Sequence, residues 1–83
     1  ARAMQMLCQI DTPDYASWKT AFDNDYEERM QAGLSQLQIW RDADHGSTVL
    51  VLFEVNDRKR AQGWITKEQG FGGAMTCTFL ETV

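Results

Sequence analysis

Residues 48–55 read Thr-Val-Leu-Val-Leu-Phe-Glu-Val, and this run constrains the chain more than any other. Successive side chains of a strand point to opposite faces. Val49, Val51, Phe53 and Val55 therefore line one face, and Leu50 and Leu52 the other. A strand apolar on both faces is a central strand with material packed on each side. The rest of the chain must supply that cover, and it is short. Its 83 residues make one domain, residues 1–83. A chain of this size buries only ~60–68% of its unfolded surface, so a partner subunit would help.

Other strands follow from alternation. Met4, Met6, Cys8 and Ile10 fall on one face of an N-terminal strand. In 34–41, Leu37 and Ile39 point one way, and Gln36, Gln38 and Trp40 the other. In 75–81, Met75, Cys77 and Phe79 oppose Thr76, Thr78 and Leu80.

Two helices lie between the strands. Thr12 is the expected N-cap of the first, with Pro13 at the first helical position. Tyr15, Trp18, Phe22, Tyr26 and Met30 then form one apolar stripe, and Gly33 ends the helix. Asn56-Asp57 caps the second helix, whose short apolar face is Ala61, Trp64 and Ile65. Gly70, Gly72 and Gly73 around Phe71 read as a flexible loop able to gate a pocket. The predicted class is α+β, a four-stranded antiparallel sheet with two helices on one face. Two helices cover only one face of such a sheet. The cheapest cover for Leu50, Leu52, Leu80 and Trp40 is the same face of a second copy.

Charge and cysteine content exclude several functions. The net charge is −4, and residues 11–44 carry eight Asp/Glu against three Lys/Arg. A nucleic-acid binder needs a basic stripe, so no nucleic-acid partner is expected. Arg58-Lys59-Arg60 opens the second helix, where the dipole disfavours cations; it reads as a solvated face or an anion site. Cys8 and Cys77 do not look like a disulfide framework and are expected to be reduced, buried and small. Nothing in Ala1–Ile10 resembles a signal peptide, and no segment approaches a membrane span. A cytoplasmic protein with no membrane association is the expectation.

The run Tyr15-Ala16-Ser17-Trp18-Lys19-Thr20-Ala21-Phe22-Asp23 resembles the Y-x-x-W-K-x-x-F-D helix of small dimeric α+β barrel proteins. Trp40-Arg41-Asp42-Ala43-Asp44 with the following Val49–Val55 strand, and the closing Phe79-Leu80-Glu81, are similar as well. The resemblance implies a ferredoxin-like β-α-β-β-α-β order and a homodimer whose sheets face each other as a dimeric α+β barrel. It implies ligand pockets between each sheet and its helices. The superfamily includes antibiotic-biosynthesis-type monooxygenases, polyketide cyclases, muconolactone isomerases and haem-degrading enzymes. The haem-degrading members need a helix histidine, which this chain lacks, so no cofactor is expected.

Candidate site residues are few. His45, the one histidine, lies in a turn near Asp42 and Asp44. It is a candidate base oriented by a carboxylate, or a solvated turn residue. Tyr26 is the other catalytic candidate; it and Trp64 form either an aromatic ligand wall or plain core. Arg29 holds an acidic ligand or complements the helix dipole. Phe22 and Trp40 complete the ligand-binding candidates. A metal site would need three or four converging ligands, and none is expected. The resulting expectation is a cofactor-independent monooxygenase or cyclase/isomerase-like enzyme acting on a small aromatic compound. The alternative is a non-catalytic small-molecule-binding or protein-interaction module.

Overall fold

The computed structural model describes residues 4–70 and 74–83, without the side chains of Gly70 and Ala74. The elements run β1 (Met4–Asp11), α1 (Tyr15–Asn24), α2 (Tyr26–Gln31), β2 (Leu34–Arg41), β3 (Thr48–Val55), α3 (Arg58–Gly70) and β4 (Ala74–Glu81). The expected gating loop falls at 71–73, outside the described residues. The strands form one antiparallel sheet in the order β2-β3-β1-β4. No helix among the described residues is long and apolar enough to cross a membrane.

The run that constrained the sequence sits at the centre. β3 pairs with both β1 and β2, and Val49, Val51, Phe53 and Val55 are buried. Met6, Cys8 and Ile10 of β1 lie beside them, and all pack under the helices. Phe22 of α1 and Trp64 of α3 both meet the Phe53 ring, at centroid distances of 6.1 and 5.7 Å. Fully burying a side chain of this size contributes ~1.5–3 kcal/mol. Ala61, Trp64 and Ile65 are buried as their spacing predicts.

Three local expectations change. The N-cap of α1 is Asp14, not Thr12. The Asp14 carboxylate accepts from the Ser17 N–H (3.3 Å) and the Ser17 hydroxyl (2.7 Å), two donors that Thr12 does not engage. The single long helix is broken at Asp25, giving three helices among the described residues instead of two. Asp25, at φ −90° and ψ 13°, ends α1 and starts α2, which shifts the phase of the apolar stripe. Tyr26 and Met30 turn outward, 59% and 58% exposed, and Arg29 turns inward, 4% exposed. Its guanidinium lies 3.7 Å over the Phe22 ring and its Nη1 donates to the Phe22 carbonyl near the break.

The third change is a register shift between Gln36 and Gln38 in β2, as a bulge produces. Ile39 pairs with Val51 on the helix side, while Gln38 and Trp40 pair with Leu52 and Leu50. Gln36, opposite Phe53, joins the helix side, and Leu37 is left exposed.

Two turns hold the frame. Gly33 takes φ +75° after α2, and a Cβ there would lie 3.2 Å from the Asp57 backbone nitrogen. The Gly33 carbonyl accepts from the Asn56 N–H at 2.9 Å, tying the α2–β2 turn to the start of α3. Asp57 caps α3 by accepting from the Lys59 and Arg60 N–H groups at 3.0 and 3.2 Å. On the face away from the helices, Leu7, Leu50 and Leu52 are half-buried, and Trp40 and Leu80 are exposed.

Candidate functional site

A cavity of about 290 Å³ opens between the end of β1, the helices and the start of β4. Its walls are Ile10, Trp18, Phe22, Trp64 and Met75, with Asp11, Thr12 and Ala21 at the edge. Trp18 and Phe22, four apart on α1, stack at 4.9 Å and 28°. Asp25, Arg29 and Glu68 also line it. Mostly apolar walls with a few converging polar groups are what small-molecule sites share.

The polar groups share one corner because of where the helices place them. The break at Asp25 brings that carboxylate and Arg29 to the cavity. Glu68 follows Trp64 by four residues, on the same face of α3. Oxygens of Asp25, Glu28 and Glu68 lie within 4.8 Å of one another. Burial, and then the negative charges of Asp25 and Glu28, push the Glu68 carboxyl above its ordinary pKa. Burial lowers the pKa of Arg29, and the nearby Asp25, Asp23 and Glu68 charges oppose that shift. The arrangement favours the protonated form of the Glu68 carboxyl relative to an ordinary glutamate.

The same three acids could offer oxygens to a cation, but protein cations already answer them. The Lys67 ammonium is 2.6 Å from Glu28 Oε1, a hydrogen bond that raises the Lys67 pKa. Arg29 supplies a second positive charge at the cavity wall.

Among the described residues, the Trp64 indole Nε1 is buried with no hydrogen-bond partner. Leaving such a donor unsatisfied costs about 1–3 kcal/mol. The Trp64 ring is a wall of this cavity and also of a second hollow lined by Glu28, Gln31 and Lys67.

The sequence candidates separate in space. Phe22, Arg29 and Trp64 line the cavity. Tyr26 lies beside a different hollow, with Arg29, Met30, Leu34, Ser35 and Gln36, so Arg29 borders both. His45 is in the exposed β2–β3 turn, its Nδ1 3.8 Å from Asp42. Asp42 is held below the usual carboxylate range by the Asp44 and His45 N–H groups it accepts. Trp40 is on the opposite face of the sheet, 45% exposed. Arg58 stacks over the Phe79 ring at 4.7 Å, and Arg60 is 3.6 Å from Asp57, so two cations of the basic run have partners.

Sequence reasoning passed over Asp25 and Glu68. Glu68 had a signal: it continues the Ala61-Trp64-Ile65 stripe as a carboxylate at a core position. Asp25 had none, because the apolar spacing runs unbroken past it.

Compared with known proteins, the chain matches no family model, no curated protein and no solved structure.

Proposed function

We propose that this cavity binds a small planar aromatic compound bearing an acceptor oxygen, and that the protein acts on it without a tightly bound cofactor. The indole N–H of Trp64, which finds no acceptor among the described residues and whose ring is a wall of the aromatic cavity, is the observation that carries the reading. About 290 Å³ suits one or two rings, since a cavity of ~150 Å³ already admits benzene. Trp18 and Phe22 offer stacking surface. The Asp25–Glu68 pair, with its raised carboxyl, could move a proton to or from a ring hydroxyl, as monooxygenase-like or cyclase/isomerase-like chemistry requires. A binding module without chemistry is the second reading, favoured by the absence of Tyr26 and His45 from the cavity lining.

The architecture belongs to the same proposal. With α1 and α2 counted as one broken helix, the order is ferredoxin-like β-α-β-β-α-β. The open sheet face then packs on a second copy as a dimeric α+β barrel. Four strands of eight residues give a face of roughly 500 Å² in projection. That projection is somewhat over half of the ~800 Å² per partner of a standard interface. Leu7, Leu50, Leu52, Trp40 and Leu80 would be its apolar centre.

Calorimetric titration with catechols, hydroquinones and hydroxybenzoates tests the binding. A member of the panel should bind, and Trp64→Phe should weaken it about three- to tenfold, the worth of one neutral hydrogen bond. Equal affinity in the variant, or no binder, refutes the assignment. Oxygen uptake or ring rearrangement with the bound compounds separates enzyme from binding module. Light scattering reads the dimer, and a strict monomer at micromolar concentration refutes it.

A further inference from the structure

Cys8 and Cys77 are directly opposite each other across the β1–β4 ladder, flanked by the pairs Met6–Phe79 and Ile10–Met75. Both thiols are free, and their Sγ atoms are in hydrogen-bonding contact at 2.6 Å. Directly opposed residues of antiparallel strands have Cα atoms about 4.5–5.5 Å apart. That range falls within the ~4.4–6.8 Å that disulfides span. The sheet therefore holds the two cysteines in bonding register.

The two sulfurs are not equivalent. Cys8 is fully buried, whereas Cys77 is half-buried on the edge strand β4. We propose that Cys8 and Cys77 form a reversible disulfide site, closed by exchange with a small-molecule disulfide. Cys77, the accessible sulfur, attacks as the thiolate; its S–S bond to half of the reagent forms as the reagent's own S–S bond breaks, releasing one thiolate. The Cys8 thiol then gives up its proton and attacks the Cys77 sulfur, releasing the other half. The two cysteines lose two electrons, the reagent gains them, and the two thiol protons end on the two released thiols. The hydrogen bond from Cys8 supports this order of events, since it lowers the Cys77 pKa, while the same bond and burial raise that of Cys8.

Oxidised glutathione is the probe. Reduced protein incubated with it should lose the mass of two hydrogens and show no titratable thiol in denaturant. It should remain a single chain on non-reducing electrophoresis and recover both thiols with dithiothreitol. Cys8→Ala should stop at a stable glutathione adduct on Cys77, because the second attack is lost. The wild-type experiment stands alone if that variant does not fold. Two thiols that stay titratable in the wild type, a persistent wild-type glutathione adduct, or a link between chains through either cysteine would overturn the proposal.

Discussion

Trp64 and Trp40 lie on opposite sides of one sheet, and their surroundings differ in kind. Trp64 is 8% exposed, edge-on to Phe53, with a buried N–H that finds no acceptor among the described residues. Trp40 is nearly half exposed, among leucines that no helix covers. The helix side buries its apolar row around the cavity and leaves a hydrogen-bond donor unanswered. The other side is the reverse: its open requirement is apolar area. The first kind of incompleteness suits a small ligand, and the second suits a flat protein surface.

The largest test of this contrast sets neighbouring residues of β3 against each other. Phe53→Ala removes a ring from the centre of the helix side and should cost about 3–5 kcal/mol in urea unfolding, at any protein concentration. Leu52→Ala, on the open side, should cost ~1 kcal/mol for a dilute monomer, about half of a fully buried leucine. If the open face is a dimer interface, that cost should grow with protein concentration, because association and stability are then linked. A concentration-independent Leu52 effect would break the contrast.

Arg29→Ala comes next. It removes the guanidinium from the Phe22 ring and carbonyl, and takes one positive charge from beside Asp25 and Glu68. The expected loss is about 1.5–3 kcal/mol, the range for hydrogen bonds to charged groups. A loss below the error of the unfolding measurement would mean that the inward arginine is incidental.

The smallest effect is a pH dependence. The folded pKa of Glu68 is raised above its unfolded value, so the folded state holds the extra proton between the two. This carboxyl therefore lowers stability as pH rises from the ordinary glutamate pKa through the raised one. Glu68→Gln should raise Tm at neutral pH, and the difference should vanish below the ordinary glutamate pKa. Melting curves of both proteins across that interval check the sign; an unchanged or lower Tm for the variant at neutral pH contradicts it.

How much of this was legible in the sequence depended on whether one periodicity ran undisturbed. Residues 48–55 alternate without interruption, and both the central strand and its buried row followed directly. The α1 stripe also reads cleanly, yet its last two members face solvent. The spacing of Tyr26 and Met30 carries no mark of a helix break, and Arg29 is long enough to use the freed inward position. The bulge at Leu37 shifted alternation by one residue, which reassigns faces on either side of it. The site suffered most, because it lies where the helix break and α3 converge. Trp64, Phe22 and Arg29 were recoverable from type and spacing, whereas Asp25 needed the break and Glu68 needed a carboxylate to be read as part of an apolar stripe.

The chain has three tryptophans, and therefore three indole N–H signals for proton–nitrogen correlation spectra. The decisive measurement follows them during titration with the tightest-binding aromatic of the panel, with Trp64→Phe assigning one signal. The Trp64 proton should move downfield as its nitrogen gains an acceptor, Trp18 should respond to the ring beside it, and Trp40 should stay in place. A shift at Trp40 with Trp64 unmoved would put the ligand on the wrong face of the sheet and contradict the proposed site.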